Sequence, residues 1–198
     1  MIRTLLVTSA LLLATAGAAI AAVTPGQAAP DFTLTDTAGQ AHTLSAYLEQ
    51  GHIVVLEWFN PDCPFIRKHH QLHTTMNDLH AAHAEEGVVW LAINSGAEGK
   101  QGAGLERNRK AVTEYGMAYP VLLDPAGEVG RAYGAKTTPH MFVIAADGTV
   151  AYAGAIDDNR SADKAGEVNH VAEALARMLA GEKVATPATA PYGCSVKY

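Results

Sequence analysis

Two uninterrupted apolar runs dominate the first half of the chain. Residues 53–59 and 88–93 are almost entirely hydrophobic. Runs of this length without polar alternation are typical of strands buried on both faces of a sheet. The segment between them, residues 64–83, carries apolar residues at helical spacing: Phe65, Leu72, Met76 and Leu79. The pattern therefore predicts a β-α-β unit, whose two strands run parallel.

Shorter periodic segments surround this unit. The alternation at 31–35 and 42–44 predicts a small hairpin ahead of it, and Asp147-Gly148 predicts a second hairpin between strands 141–145 and 149–153. Further segments predict helices at 105–115, 128–133 and 162–179, a strand at 120–123, and an irregular tail after Gly181. This order of elements favours an α/β protein with a mixed sheet flanked by helices.

The first 21 residues have the pattern of an export signal. Arg3 precedes an apolar stretch over 4–16, and small residues follow at 19 and 21. We expect a cleaved signal peptide, a mature chain that begins near Ala22, and a periplasmic or secreted protein in an oxidising compartment. An uncleaved anchor is the alternative, whereas the lack of a cysteine after the run excludes the usual lipoprotein anchor.

Composition and charge narrow the function classes. The chain has 198 residues, 48 % of them hydrophobic, and a net charge of −6 without a block of lysine or arginine. These values predict one folded domain over 22–181 and a tail over 182–198, with no nucleic-acid partner and no membrane partner after signal cleavage.

Cys63 stands where the first buried strand gives way to a helix. Pro64 suits the first helical position, and the residue before a proline avoids helical geometry, so Cys63 is predicted as the N-cap. We expect its sulfur to face the free amides of Phe65 and Ile66, with Arg67 one turn further on. Amides and positive charge favour the thiolate over a free thiol of pKa about 8.5. The alternative is a buried, inert cysteine.

Cys194 is the second of two cysteines and lies in the tail. Only one disulfide is possible, Cys63–Cys194. Either Cys194 acts as a resolving thiol in a redox cycle, or the pair forms a permanent staple that anchors the tail.

The chain resembles the thioredoxin superfamily, and within it the peroxiredoxin-like branch of the alkyl hydroperoxide reductase/thiol-specific antioxidant group. Four segments carry the resemblance, which extends over 26–181: 26–34, 60–64, 137–144 and 147–158. It implies a thioredoxin-like three-layer α/β/α fold with a central mixed sheet and an N-terminal β-hairpin extension. It also implies thiol redox chemistry without an organic cofactor, and makes Thr138-Pro139 the cis-proline loop opposite Cys63.

Two departures from these families leave the reaction open. Leu56 and Asn60 stand where a peroxiredoxin has its proline and threonine, and a thioredoxin would have its first cysteine at position 60. Asn60 can still donate a hydrogen bond to an oxidant or a thiolate. Peroxidase activity and ordinary dithiol exchange therefore both stay as hypotheses.

Histidines along the predicted helix suggest a further alternative. Five residues fall within one sector of an ideal helix: His69, His73, Met76, His80 and His83. Cys63, His69 and His73 are the candidate ligands of a copper or zinc ion. The competing interpretation places these rings at the edge of the core.

The preferred hypothesis is an extracytoplasmic, peroxiredoxin-like thiol oxidoreductase with a possible antioxidant role. Cys63 would be the nucleophile and Cys194 the resolving cysteine. Asn60 and Arg67 would stabilise the thiolate, and Thr138 with Pro139 would shape the opposite wall. The substrate would be a peroxide or a protein disulfide, and the electrons would come from a thiol reductant protein. The alternatives are a metal-binding protein and a redox-inert binding module with a structural disulfide.

Overall fold

The computed structural model describes residues 22–198. The predicted signal peptide, 1–21, lies outside the described residues. Within 22–198, no helix is both long and apolar enough to span a membrane.

A seven-stranded mixed sheet forms the centre of the fold, in the order β2-β1-β5-β4-β3-β7-β8. The strands are β1 Thr33–Asp36, β2 Ala41–Thr43, β3 Ile53–Trp58, β4 Val88–Asn94, β5 Val121–Leu123, β6 Thr137–Thr138, β7 Met141–Ile144, β8 Val150–Gly154 and β9 Cys194–Ser195. β3, β4 and β5 are parallel, whereas β7 and β8 are antiparallel to their neighbours. β1 and β2 form the predicted hairpin at one edge. The predicted mixed sheet is confirmed.

The two faces of the sheet pack into separate hydrophobic cores. Successive side chains of a strand point to opposite faces. Accordingly Val54, Leu56 and Trp58 of β3 lie in one core, together with Leu44 and Tyr133 from two of the helices. The other core takes the opposite face of the sheet together with residues of the remaining helices: Ile66, Met76, Ala111, Val171 and Leu175. The three-layer α/β/α fold is therefore confirmed.

The helix predicted at 64–83 is divided into three pieces. The helices of the fold are α1 Leu44–Leu48, α2 Pro64–Arg67, α3 Thr75–His83, α4 Leu105–Glu114, α5 Glu128–Tyr133 and α6 His170–Leu179. A π-helical turn, Lys68–Leu72, follows α2, and Thr74 has a φ of 50° that breaks the helix before α3. Since a π-turn adds a residue to the turn, side chains beyond it no longer follow the stripe of an ideal helix.

The helix predicted at 162–179 is also shorter than expected and begins at His170. The Asn169 side chain accepts hydrogen bonds from the amides of Val171 and Ala172, which makes Asn169 the N-cap. Before it, Asp157 and Asp158 accept hydrogen bonds from backbone amides within 159–168 and hold that stretch as a loop.

The tail is more ordered than the sequence predicts. Cys194–Ser195 form β9, which pairs antiparallel with β6 in a small second sheet. Thr189 bonds to the Tyr152 hydroxyl, and the Tyr198 hydroxyl donates to the Ala135 carbonyl. The tail therefore packs along the domain on both sides of Cys194.

Candidate active site

Cys63 caps the helix that starts at the carboxyl end of β3. It has extended backbone geometry, and Pro64 stands at the first helical position, as predicted. The sulfur does not bond to the helix amides, however. It donates to the Thr138 carbonyl oxygen at 3.0 Å instead. The expected contact with Phe65 and Ile66 is wrong, because the loop opposite offers an acceptor at hydrogen-bonding distance to a protonated thiol.

That loop is the segment around Thr138 and Pro139. The Thr138–Pro139 peptide bond is cis. Thr138 belongs to β6 and is 1 % exposed, and its carbonyl oxygen faces Cys63. Thr138 thus lies beside the sulfur with Pro139 next to it in the chain, as the family resemblance implies.

Cys194 reaches the same point from the tail. It lies opposite Thr138 in the β6–β9 register, and Cys63 donates to the carbonyl oxygen of that same residue, so both cysteines adjoin Thr138. Gly193 makes this approach possible, because a Cβ at that position would lie 2.1 Å from the Thr138 carbonyl oxygen. Burial raises the pKa of the Cys194 thiol, and a neighbouring Cys63 thiolate raises it further, to about 12. Both cysteines are free thiols in the structure.

The Cys63 sulfur is enclosed, and a groove runs up to it. Cys63 is only 2 % exposed. It nevertheless lines an open groove of about 480 Å³ together with Pro61, Pro64, Arg67 and Leu72. Substrate access to the sulfur must therefore come through this groove or through movement of the tail.

Asn60 and Arg67 occupy different positions relative to the sulfur. The Asn60 side chain hydrogen-bonds to the backbone around it: its amide donates to the Gln101 carbonyl, and its oxygen accepts from the Asp62 amide in the turn before Cys63. Arg67 is exposed and lines the groove. Their predicted roles in stabilising a thiolate stay predictions.

The histidines of the metal hypothesis point in different directions. The His69 ring bonds to the Tyr192 hydroxyl, and the His73 ring bonds to the Asp163 carbonyl. Across residues 22–198, no group of three or more histidine, cysteine, aspartate or glutamate side chains is arranged to hold a metal ion. The π-turn and the break at Thr74 are the physical reason, because they disperse the stripe.

Two buried clusters of polar side chains were not predicted from the sequence. Glu57 is fully buried and bonds to His70, Trp90 and Tyr119. A second cluster joins Lys68 to the tail at Tyr192. Glu57 and Lys68 are the charged residues least expected in a core, and a single charge inside an apolar or helical stretch is the only signal that marks them.

Comparison with known proteins places this site in a family. Residues 25–153 match the model of the AhpC/TSA family. The chain belongs to the AhpC/TSA family. It is accordingly a thioredoxin-superfamily redoxin and a thiol-dependent oxidoreductase, in agreement with the resemblance found in the sequence.

Relatives of this redoxin agree with the family assignment. The thiol-disulfide oxidoreductase ResA of Geobacillus thermodenitrificans is 32 % identical over 129 residues, which cover 65 % of this chain and 68 % of ResA. A hypothetical protein of Sinorhizobium meliloti has the same fold, with a TM-score of 0.81 and 27 % identity over 90 % of this chain and 96 % of its own. An uncharacterized conserved protein of Geobacillus kaustophilus follows, with a TM-score of 0.75 and 30 % identity over 88 % and 92 % of the two chains.

Proposed function

We propose that this redoxin is an extracytoplasmic thiol-disulfide oxidoreductase in which Cys63 is the nucleophile and Cys194 the resolving cysteine. The convergence of the two cysteines on Thr138 carries the proposal, because disulfide formation requires close approach of the two sulfurs. The name of the Geobacillus thermodenitrificans relative, thiol-disulfide oxidoreductase ResA, supports thiol-disulfide exchange as the reaction class. The signal-like pattern of the first 21 residues supports the location.

The reaction consists of two exchanges. The Cys63 thiolate attacks a substrate disulfide, forms a mixed disulfide and releases one substrate thiolate. Cys194 then loses its proton and attacks the Cys63 sulfur, so the mixed disulfide breaks and the second substrate thiolate leaves. Two electrons pass to the substrate, and the Cys63–Cys194 disulfide remains until a partner thiol protein reduces it.

The surroundings of Cys63 support this order of events. The high pKa of Cys194 keeps it protonated at neutral pH, so Cys194 does not compete for the first attack. Arg67 supplies positive charge in the groove, and Thr138 with Pro139 forms the wall behind the sulfur. Asn60 holds the turn that presents Cys63.

A peroxidase is the second candidate, favoured by the family match. In that case the Cys63 thiolate takes an oxygen atom from a hydroperoxide and becomes a sulfenic acid, while the corresponding alcohol or water leaves. Cys194 condenses with the sulfenic acid, forms the same disulfide and releases water. This activity would give the protein an antioxidant role.

Thiol counting tests the proposal. The reduced mature protein is titrated with a peptide disulfide and, separately, with hydrogen peroxide, then alkylated and weighed by intact mass spectrometry. We expect both thiols to disappear in one step, Cys194→Ser to stop at a mixed disulfide on Cys63, and Cys63→Ser to keep its remaining thiol. A rate with peroxide above that with the peptide disulfide would favour the peroxidase.

Two results would overturn this assignment. If Cys63 reacts no faster than free cysteine with both oxidants, the site is not an enzyme site. If the Cys63–Cys194 disulfide forms but resists millimolar dithiothreitol in the native protein, it is a structural staple instead of a redox pair.

A further inference from the structure

Four buried polar side chains meet where the tail passes over the helix of Cys63. Lys68 and His69 have no exposed surface, and Asp157 and Tyr192 are 4 % and 5 % exposed. The Tyr192 hydroxyl lies 3.1 Å from the Lys68 ammonium and 2.9 Å from Nε2 of His69, and it donates to the Asp157 carboxylate. We call these four residues the tail cluster.

The tail cluster contains a buried charge pair with a tail side chain inserted in it. The Lys68 ammonium lies 3.2 Å from the Asp157 carboxylate and donates to the Asn159 carbonyl at 2.7 Å. Buried charges are tolerated only when their hydrogen-bonding capacity is satisfied. The Tyr192 hydroxyl serves both members, because it accepts from the cation and donates to the anion. Its removal leaves buried charged groups short of a partner.

The tail cluster joins the three parts that build the candidate active site. Lys68 opens the π-turn directly behind α2, the helix that Cys63 caps. Asp157 begins the loop whose residue Asp163 lines the groove. Tyr192 precedes Cys194 by two residues. Its ring packs edge-on against the Phe65 ring, with 5.7 Å between the ring centroids. Contacts at Tyr192 therefore tie the tail, two residues before Cys194, to the helix that Cys63 caps.

We propose that the tail cluster is a positioning device for the resolving cysteine. It holds Cys194 close to Cys63. This position increases the ratio of the intramolecular Cys63–Cys194 disulfide to a mixed disulfide on Cys63. This inference rests on the proposed function. A held tail raises the effective concentration of one thiol toward the other, whereas a released tail has to search a larger volume for each closure.

Glutathione provides a balanced exchange that measures this effect. Cys63 bonded to glutathione reacts with the Cys194 thiol: the Cys63–Cys194 bond forms and the bond to glutathione breaks. Glutathione leaves as a thiolate and takes up the proton that Cys194 gives. At a fixed concentration of reduced glutathione, the ratio of intramolecular to mixed disulfide reports the effective concentration of Cys194.

Tyr192→Phe tests the device, and Tyr198→Phe is its matched control. Both variants remove one tyrosine hydroxyl from the tail, but the Tyr198 hydroxyl donates to the Ala135 carbonyl, outside the tail cluster. In glutathione buffers read by acid quench and intact mass, we expect the disulfide ratio to fall about tenfold in Tyr192→Phe. Tyr198→Phe should keep the wild-type ratio. Circular dichroism of the reduced proteins verifies the fold.

Each outcome has a defined meaning. An unchanged ratio in Tyr192→Phe, or an equal fall in Tyr198→Phe, overturns the positioning role. Should Tyr192→Phe fail to fold, Asp157→Asn provides the same test, since it removes the anion while keeping the side-chain shape. A wild-type protein that never forms the Cys63–Cys194 disulfide refutes the proposed function instead.

Discussion

Thr138 contacts the Cys63 sulfur through its backbone carbonyl, whereas its hydroxyl bonds to none of the described residues. The carbonyl oxygen accepts from Cys63. The hydroxyl is buried and has no hydrogen-bond partner among the described residues. The neighbouring Thr137 differs, because its hydroxyl donates to the Pro139 carbonyl at 2.8 Å. An unpaired buried hydroxyl costs free energy that an isosteric methyl group does not.

We therefore expect Thr138→Val to keep thiol exchange and to leave the free energy of unfolding unchanged or raise it by up to about 1 kcal/mol. Thr137→Val, the matched control, should lower it by about 1 kcal/mol through the lost hydrogen bond. Urea unfolding and reaction with the peptide disulfide measure the two effects. A loss of exchange activity in Thr138→Val at unchanged stability would assign the hydroxyl a chemical role.

His140 makes the stability of the fold depend on pH. Burial, followed by the nearby charge of Lys136, lowers the pKa of His140 to about 4. An unfolded histidine titrates near 6.5. Between these values the unfolded chain binds a proton that the folded chain refuses, so stability falls as the pH falls from about 6.5 toward 4. His69, whose pKa is lowered to about 3 chiefly by burial, acts in the same direction.

We expect His69 and His140 each to decrease the free energy of unfolding by about 2 kcal/mol between pH 7 and pH 5. His140→Gln should remove the part of this pH-dependent decrease that His140 causes, because glutamine does not titrate. His83→Gln, which alters a ring bonded to Glu86, serves as the control. Urea unfolding at both pH values provides the measurement, and parallel pH dependence in wild type and His140→Gln would contradict the assignment.

At the scale of single elements, α6 depends on its cap. The side-chain oxygen of Asn169 accepts from two amides of the first turn, at 3.1 and 3.0 Å. The helix then buries Val171, Ala174 and Leu175 against the sheet. Because no intrahelical partner exists for these amides, the cap sets where the helix begins.

Asn169→Ala should lower the free energy of unfolding by about 1 kcal/mol, whereas Asn169→Ser, which can still cap, should lose only a fraction of that. Thermal and urea unfolding compare the two variants. Equal losses would show that the effect arises from packing of the side chain and not from the cap.

Some helices and strands were predicted correctly from the sequence, and others were not. β3 and β4 were predicted correctly, because strands buried on both faces leave uninterrupted apolar runs. The helix at 64–83 was predicted too long, since neither the π-turn nor the φ of 50° at Thr74 changes the apolar spacing. β9 was missed, because a two-residue pairing with β6 depends on contacts distant in sequence.

Some features of the candidate site were likewise predicted from the sequence, whereas others depend on tertiary packing. Local signals placed Cys63 at the helix start next to Pro64, and the family resemblance placed Pro139 opposite it. The hydrogen-bond partner of the sulfur and the buried contacts of Lys68 follow from tertiary packing, which no local pattern encodes. Function at the level of thiol chemistry was therefore accessible from the sequence, whereas the surroundings of the sulfur were not.

At the scale of the whole molecule, the two cysteines link the start of the β-α-β unit to the tail. Closing a loop of this length restricts the unfolded chain, a stabilisation of about 4 to 5 kcal/mol in the chain-entropy model before any strain is subtracted. In the folded chain both cysteines adjoin Thr138, so oxidation needs little rearrangement of the backbone.

We expect the oxidised protein to be more stable than the reduced protein by about 4 kcal/mol. Urea unfolding under oxidising and reducing conditions measures the difference, and Cys194→Ser should show none. Equal midpoints for the two wild-type forms would mean that strain in the closed form offsets the entropy gain.

The distance in sequence between Cys63 and Cys194 has a consequence for biosynthesis. Under the export proposed above, Cys63 would leave the ribosome and cross the membrane well before the segment that contains Cys194 has been made. During this interval the growing polypeptide would present an unpaired thiol to the oxidants of that compartment. Maturation of this redoxin would then require that adducts formed on Cys63 be exchanged for the Cys63–Cys194 disulfide once β9 has paired with β6.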